Sequence, residues 1–200
     1  MKSIWITGAS SGIGKALALK FANEGWQVAA SARREDLLNK IAESNENISS
    51  FPLDVTDSEK CKNVFEQIKN KLKSIDICFF STGTWDPKKE KEIDIDQMKK
   101  VMNVNFFGTL NCIKAVEKYF REKNSGHISI VSSIAGYRGL PNSTGYGASK
   151  AALNNLAESL YFDFGRNNVR VSLVSPGFIK TQMTDKNQFK MPFLKTAEYA

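Results

Sequence analysis

The chain reads Thr7-Gly8-Ala9-Ser10-Ser11-Gly12-Ile13-Gly14 between a short apolar run, residues 3–7, and a helix-like stretch that continues to Asn23. A strand, a glycine-rich turn and a helix are therefore predicted in that order. Such a turn presents backbone N–H groups to a dinucleotide pyrophosphate, and a Cβ at Gly8, Gly12 or Gly14 would obstruct the tight turn, the phosphate or the helix packing, respectively. The alternative is an ordinary strand-to-helix turn. The cofactor site predicted here consists of Gly8, Ser10, Ser11, Gly12, Ile13 and Gly14.

Strand-like and helix-like segments alternate along the rest of the chain. Short apolar, β-branched runs that end at turn-forming residues occupy residues 3–7, 26–31, 48–53, 75–80, 127–132 and 169–174. Helix-like stretches between them occupy residues 13–23, 35–43, 58–72, 96–120 and 146–164. Apolar strands joined by helical crossovers predict an α/β fold, a doubly wound, Rossmann-type parallel sheet with helices on both faces. Because no linker or repeat interrupts the pattern, residues 1–200 are predicted to form a single domain.

Composition excludes several classes of protein. The net charge of +7 comes from 28 basic residues mixed with 21 acidic ones, without a long run of one sign, so we expect no nucleic-acid partner. Cys61, Cys78 and Cys112 match no metal-ligand spacing, so no metal is expected, and their odd number is untypical of a secreted disulfide framework. The sequence has no run typical of a signal peptide or a transmembrane helix. We therefore expect a cytoplasmic protein without a membrane partner.

The end of the second predicted strand bears on the choice of cofactor. An NAD-binding protein presents a carboxylate there to the ribose 2′-hydroxyl, whereas this chain has Ser31-Ala32-Arg33-Arg34. A guanidinium donates charge-assisted hydrogen bonds to a 2′-phosphate, so Arg33, supported by Arg34, predicts NADP(H) rather than NAD(H). The alternative is that both arginines only make the surface soluble.

Tyr146 and Lys150 are four residues apart in a predicted helix, and therefore lie on one face of it, one turn apart. A nearby cation favours the tyrosinate and lowers the tyrosine pKa. Lowering that pKa from about 10 to about 7 corresponds to roughly 4 kcal/mol, which an ammonium and an oxidised nicotinamide ring can supply in a dry cleft. Tyr146 can then act as an acid or a base. The alternative is an exposed helix pair, since this spacing is common.

Polar residues also end the third and fifth predicted strands, at the carboxyl edge where such sheets bind ligands. Ser132 and Ser133 end the fifth strand, and a hydroxyl at this position can face a reacting carbonyl group. Asp54 ends the third strand, whereas Asp57 suits the N-cap of the helix that begins near Ser58.

These motifs, in this order, resemble those of the short-chain dehydrogenase/reductase family, with its Gly-x-x-x-Gly-x-Gly and Tyr-x-x-x-Lys patterns, from Ile4 to Thr181. The resemblance implies an oxidoreductase that transfers a hydride between NADP(H) and a small carbonyl or alcohol compound. It makes Tyr146 the general acid and base beside Lys150, and selects Ser133 to hold the carbonyl oxygen. It also implies cofactor contacts from Tyr146, Lys150, Asp54, Val55, Ser81, Thr82, Gly83, Pro176, Gly177, Ile179 and Thr181.

The resemblance gives Asn105 a role in holding a water that links Lys150 to solvent. Asn103 competes for this role, and Gly108 at the matching offset favours Asn105. The chain departs from the family after its fourth predicted strand, where it has Ser81-Thr82-Gly83 in place of the usual Asn-Ala-Gly. We expect Ser81 to donate one hydrogen bond in place of the missing asparagine, so that the turn survives.

The family continues through a further helix and a seventh strand after the point where residues 195–200 look helical. We expect this C-terminal helix and strand to be missing, which makes the sixth strand an edge of the sheet. We also expect a homodimer or a homotetramer.

Two functions remain open, the enzyme and a non-catalytic NADP-binding sensor or regulatory protein on the same fold. The presence of Tyr146, Lys150, Ser133 and Asn105 favours the enzyme. Its substrate depends on residues 135–145 and 182–194, and the second segment contains Met183, Phe189, Met191 and Phe193. These side chains favour an apolar or amphipathic carbonyl compound.

Overall fold

Six parallel strands form one sheet in the computed structural model of the chain, which describes residues 1–87, 92–187 and 190–200. The strands are β1 (Ser3–Thr7), β2 (Gln27–Ala32), β3 (Ile48–Pro52), β4 (Ile77–Phe80), β5 (Gly126–Val131) and β6 (Val169–Val174). Their order in the sheet is β3-β2-β1-β4-β5-β6, which confirms the doubly wound, Rossmann-type topology. Chain order reverses between β1 and β4, and a crevice opens there at the carboxyl edge. Phe189 of the expected substrate segment lies outside the described residues.

Helices connect the strands, because parallel neighbours require crossover connections. They are α1 (Gly12–Asn23), α2 (Glu35–Glu43), α3 (Ser58–Leu72), α4 (Ile95–Met102), α5 (Gly108–Lys123) and α6 (Thr144–Gly165). Asp57 caps α3 as predicted, since its side chain accepts a hydrogen bond of 2.9 Å from the backbone N–H of Lys60. Among the described helices, none combines the length and apolar character needed to cross a membrane.

Strand β1 shows why both faces of the sheet are covered. Its side chains alternate between the two faces, and all five of its residues are buried. Ile4 and Ile6 belong to a core cluster shared with Ala18 of α1. Trp5 points to the opposite cluster and stacks on Phe65 of α3, with 5.6 Å between ring centroids. The two apolar faces therefore fix the central strand between two helical layers.

The segment predicted as one helix over residues 96–120 is divided in the structure. A π-helical turn, Asn103–Phe107, separates α4 from α5. The i→i+5 pattern of such a turn changes the side-chain register of the helix. Within this turn Asn105 is buried, and its backbone carbonyl accepts a hydrogen bond of 2.8 Å from the hydroxyl of Thr109. The prediction of an uninterrupted helix was wrong, since helical periodicity in a sequence does not reveal an inserted residue.

Residues 195–200 do not form the helix that their sequence suggested. Lys195 instead makes a parallel β-bridge with Ile179. The backbone N–H of Lys195 donates to Phe178 O at 3.0 Å, and the backbone N–H of Lys180 donates to Lys195 O at 2.8 Å. These main-chain bonds hold Lys195 in an extended conformation. A turn follows at residues 197–199.

The glycine turn brings α1 against the end of β1. Gly8 has a φ of +72°, and a Cβ there would lie 2.9 Å from the backbone carbon of Ser81. A Cβ at Gly14 would lie 2.5 Å from the carbonyl oxygen of Gly8. Both distances are too short for a carbon atom. The turns after β1 and β4 can approach each other only because Gly8 lacks a side chain, and the first turn of α1 can approach the end of β1 only because Gly14 lacks one.

We predict that Gly14→Ala lowers the free energy of unfolding by about 3 kcal/mol, because the added methyl group collides with backbone rather than with a flexible side chain. Urea unfolding of the two proteins measures the difference. Gly165→Ala is the matched control, since a Cβ there meets nothing within 4 Å. Equal effects of the two substitutions would contradict the close approach at Gly14.

Candidate active site

A cavity of about 540 Å³ lies at the carboxyl edge of the sheet. Every residue predicted to contact the cofactor lines it. They are Gly8, Ser10, Ser11, Gly12, Ile13, Gly14, Arg33, Arg34, Asp54, Val55, Ser81, Thr82, Gly83, Tyr146, Lys150, Pro176, Gly177, Ile179 and Thr181. Ser133 also lines the cavity, whereas Asn105 is buried behind its wall.

Arg34 connects the glycine turn to the segment that follows β6. Its guanidinium donates hydrogen bonds to the hydroxyl oxygens of Ser10 at 3.0 Å and Ser11 at 2.9 Å. A third hydrogen bond, also 2.9 Å long, reaches the side-chain oxygen of Gln182. Arg34 is thus held by three contacts at the rim of the cavity.

Asp54 lies beside Arg33 on the same rim. Burial raises the pKa of Asp54, but hydrogen bonds from the backbone and hydroxyl of Thr56, together with the charge of Arg33, outweigh it and lower the pKa. The carboxylate oxygen accepts these bonds at 3.0 and 2.8 Å. A charged carboxylate and a guanidinium therefore share this end of the cavity.

The turn after β4 is held to β1 by a serine. The hydroxyl of Ser81 donates a hydrogen bond of 2.6 Å to the carbonyl oxygen of Thr7. This confirms the expectation that Ser81 supplies one bond in place of the asparagine found in the family. A Cβ at Gly83, two residues later, would lie 3.6 Å from Asn105 Oδ1 and 3.8 Å from Lys150 Nζ. Gly83, which lines the cavity, therefore lies next to both Asn105 and Lys150.

Tyr146 and Lys150 lie one turn apart in α6, as predicted, and both line the cavity. Lys150 Nζ is 5.7 Å from the centre of the Tyr146 ring. The ammonium is fully buried and donates a hydrogen bond of 2.8 Å to the carbonyl oxygen of Val131, at the end of β5. Burial lowers the pKa of Lys150 from 10.5 to about 8. Proton exchange at Lys150 is therefore accessible near neutral pH.

The two serines after β5 have different partners. Ser132 donates to the backbone oxygen of Lys150 and also contacts the Asn154 side chain, so it ties β5 to α6. Ser133 caps the short 3-10 helix Ile134–Gly136, and its oxygen accepts a hydrogen bond of 3.2 Å from the Ala135 N–H. Within residues 1–87, 92–187 and 190–200, no acceptor takes the hydroxyl proton of Ser133, which can therefore be donated to a group in the cavity. This difference favours Ser133 as the residue that holds a carbonyl oxygen.

The structure distinguishes the two candidate asparagines of the π-helical turn. Asn103 is exposed, whereas Asn105 is buried. The Asn105 oxygen accepts a 2.7 Å hydrogen bond from Thr84 N, and its amide nitrogen donates to Thr84 O at 3.1 Å and to the Ser149 hydroxyl at 3.0 Å. Asn105 therefore links the turn after β4 to α6, directly behind Lys150.

Trp85 is a site residue that sequence analysis missed. Its ring centroid lies 5.4 Å from that of Tyr146, with an interplanar angle of 32°. The indole N–H donates a hydrogen bond of 3.0 Å to Asn142 O, and only 8% of the residue is exposed. Trp85 therefore restricts the orientation of the Tyr146 ring. Its position just after the turn that follows β4 was the only signal in the sequence.

Comparison with known proteins agrees with this geometry. A family model described as short chain dehydrogenase matches residues 2–191. An uncharacterized oxidoreductase of Myxococcus xanthus is 33% identical over 193 residues, covering 94% of this chain and 76% of the relative. The 3-oxoacyl-acyl-carrier-protein reductase FabG of Thermotoga maritima is 35% identical over 185 residues, covering 90% of this chain and 75% of the relative. The solved structure of ElxO with NADP bound is 29% identical, with a TM-score of 0.87 over 98% of this chain and 87% of that one.

We predict that the buried Lys150 makes the free energy of unfolding increase with pH. The substitution Lys150→Met should remove this dependence. Between pH 8 and 10.5 the unfolded chain holds a proton on Lys150 that the folded chain has released, so raising the pH through this window stabilises the folded chain. Relative to Lys150→Met, the wild-type free energy of unfolding should increase by about 3 kcal/mol across the window. Urea unfolding at several pH values measures it.

The control for this measurement is Lys20→Met, because the Lys20 side chain is 69% exposed. This variant should keep the wild-type pH dependence. If Lys150→Met also kept it, the buried ammonium would not be the titrating group.

Proposed function

The chain belongs to the short chain dehydrogenase family, and on this basis we propose that it is an NADP(H)-dependent enzyme that interconverts a carbonyl compound and an alcohol. The observation that carries the proposal is a single cavity lined both by the glycine turn and by Tyr146 and Lys150. A cofactor held along the glycine turn would therefore meet a proton donor and acceptor in the same space.

The N-terminal end of α1 fits the pyrophosphate of a dinucleotide. Ser11 precedes the helix without making a side-chain cap to it, and the first turn of α1 carries no acidic residue. The backbone N–H groups of that turn and the positive end of the helix dipole thus suit an anion. In the segment that follows β6, Pro176, Gly177, Ile179 and Thr181 would hold the nicotinamide.

Preference for NADP(H) is supported by the charge at the rim of the cavity. Arg33 and Arg34 can both pair with a 2′-phosphate, and Ser10 and Ser11 keep hydroxyl protons to donate to it. ElxO, whose structure was solved with NADP bound, provides a precedent on the same fold. NADH offers these four side chains no phosphate at that position.

The proposed chemistry assigns one task to each residue. When bound, NADPH supplies the hydride that adds to the carbonyl carbon. Ser133 donates a hydrogen bond to the carbonyl oxygen, and Tyr146 gives its phenolic proton to that oxygen as the alcohol forms. Lys150, with a pKa of about 8, stabilises the resulting tyrosinate and returns a proton to it. Oxidation of the alcohol uses the same groups in reverse.

The segment after Ser133 supports an apolar or amphipathic substrate. Ile134, Tyr137 and Leu140 are 40, 60 and 37% exposed, although they are large apolar or aromatic side chains. They lie within or beside the segment expected to contact the substrate. An apolar substituent on the carbonyl compound would cover them, whereas a strongly charged substrate would gain nothing from this surface.

We predict that Tyr146→Phe lowers kcat by about 10²- to 10⁴-fold while NADPH binding stays within about twofold, because the aromatic ring remains and only the transferable proton is lost. NADPH consumption with a panel of ketones and aldehydes measures turnover, and fluorescence titration measures binding. Tyr161→Phe is the matched control, because Tyr161 lies on the same helix and is 59% exposed. If no compound of the panel is reduced although NADPH binds, the sensor function is favoured instead.

We predict that NADPH binds more tightly than NADH by about 1.5 to 3 kcal/mol, which is the contribution of charge-assisted hydrogen bonds to the 2′-phosphate. Arg33→Ala should reduce this difference by weakening NADPH binding alone. Arg166→Ala, an exposed arginine at the end of α6, should leave both dissociation constants unchanged. Equal dissociation constants of the two cofactors in the wild type would refute the proposed preference.

A further inference from the structure

We propose that Gln182 is a specificity-determining residue that positions Arg34 for the 2′-phosphate of NADPH. The inference rests on the proposed function and adds a residue that carries no charge and lies outside the glycine and arginine motifs. It depends on the three hydrogen bonds of the Arg34 guanidinium, two to Ser10 and Ser11 and one to the side-chain oxygen of Gln182.

The backbone that carries Gln182 is fixed with respect to the glycine turn. The Thr184 hydroxyl donates a hydrogen bond of 2.7 Å to Ile179 O and accepts one of 2.9 Å from the Thr181 N–H. These two bonds close a compact turn around Gln182. The methyl group of Thr181 fills the space beside Gly12, since a Cβ at Gly12 would lie 2.9 Å from it. Gln182 is therefore presented to Arg34 by a braced turn rather than by a free loop.

This arrangement orients Arg34 before the cofactor binds. An exposed arginine side chain has many rotamers, and restricting it to one of them on binding weakens the affinity. The bond to Gln182 holds the terminal nitrogen Nη1 of Arg34, while the second terminal nitrogen, Nη2, lies at the Ser10 and Ser11 hydroxyls. An anion bound at these hydroxyls would find the guanidinium already in place. NADH, which has no 2′-phosphate, would gain nothing from this orientation.

Dissociation constants of NADPH and NADH, measured by fluorescence titration of the full chain, test the proposal. Gln182→Ala should weaken NADPH binding about two- to tenfold and leave NADH binding unchanged. Gln182→Glu should weaken NADPH binding more, because its carboxylate places negative charge beside the phosphate, and should again spare NADH. Gln27→Ala is the control, since it removes a glutamine that bonds to Asn47 far from the cavity.

A double-mutant cycle with Arg34→Ala decides whether Gln182 acts through Arg34. In the Arg34→Ala background, Gln182→Ala should have no further effect on NADPH binding. Tighter NADPH binding in Gln182→Ala would mean that the amide competes with the phosphate. If Gln182→Ala still weakened NADPH binding in the Arg34→Ala background, Gln182 would act independently of Arg34. Either result overturns the proposal. If the wild type binds neither cofactor, the proposed function itself fails. If it binds NADPH and Gln182→Ala binds it equally well, only this inference fails.

Discussion

The approach of Gly14 to the carbonyl oxygen of Gly8 is the contact on which the rest of the site depends. It brings the first turn of α1 over the end of β1, where a Cβ would come within 2.5 Å of that oxygen. Gly8 itself lies against the backbone of Ser81, and Gly14 lies close to the Ser81 hydroxyl, which is bonded to Thr7. The ends of β1 and β4 are thereby joined at the point where the order of the strands reverses, which is the bottom of the crevice.

The end of the crevice that carries Tyr146 contains a group that is unfavourable to bury. Enclosing the Lys150 ammonium lowers its pKa, which means that the folded chain loses stability to hold it there. Two hydrogen bonds hold α6 against β5, one from the Lys150 ammonium to Val131 O and one from the Ser132 hydroxyl to the backbone oxygen of Lys150. The strand end that carries Ser133 is therefore fixed to the helix that carries Tyr146. The arrangement suits a proton-transfer site, where such unfavourable groups are usually found.

Much of this architecture follows from local pattern, and the rest depends on tertiary contacts. Short apolar runs that alternate with helix-like stretches predicted all six strands. The cap at Asp57 and the hydrogen bond from Ser81 were also predicted, because each depends on one side chain and one backbone group. The π-helical turn was missed, since its inserted residue leaves no trace in helical periodicity. Trp85 was missed, and the contact of Gln182 with Arg34 was not foreseen, because the partners in each pair are distant in sequence.

Transfer of deuterium from NADPH that carries deuterium at both C4 positions of the nicotinamide distinguishes the enzyme from the sensor. The protein is incubated with labelled NADPH and apolar ketones and aldehydes, and the products are analysed by mass spectrometry. The proposed enzyme activity requires that deuterium is recovered on the carbinol carbon of an alcohol in proportion to the NADPH consumed. NADPH that binds tightly but delivers no deuterium to any carbonyl compound would contradict it and would favour a cofactor-sensing protein on the same fold.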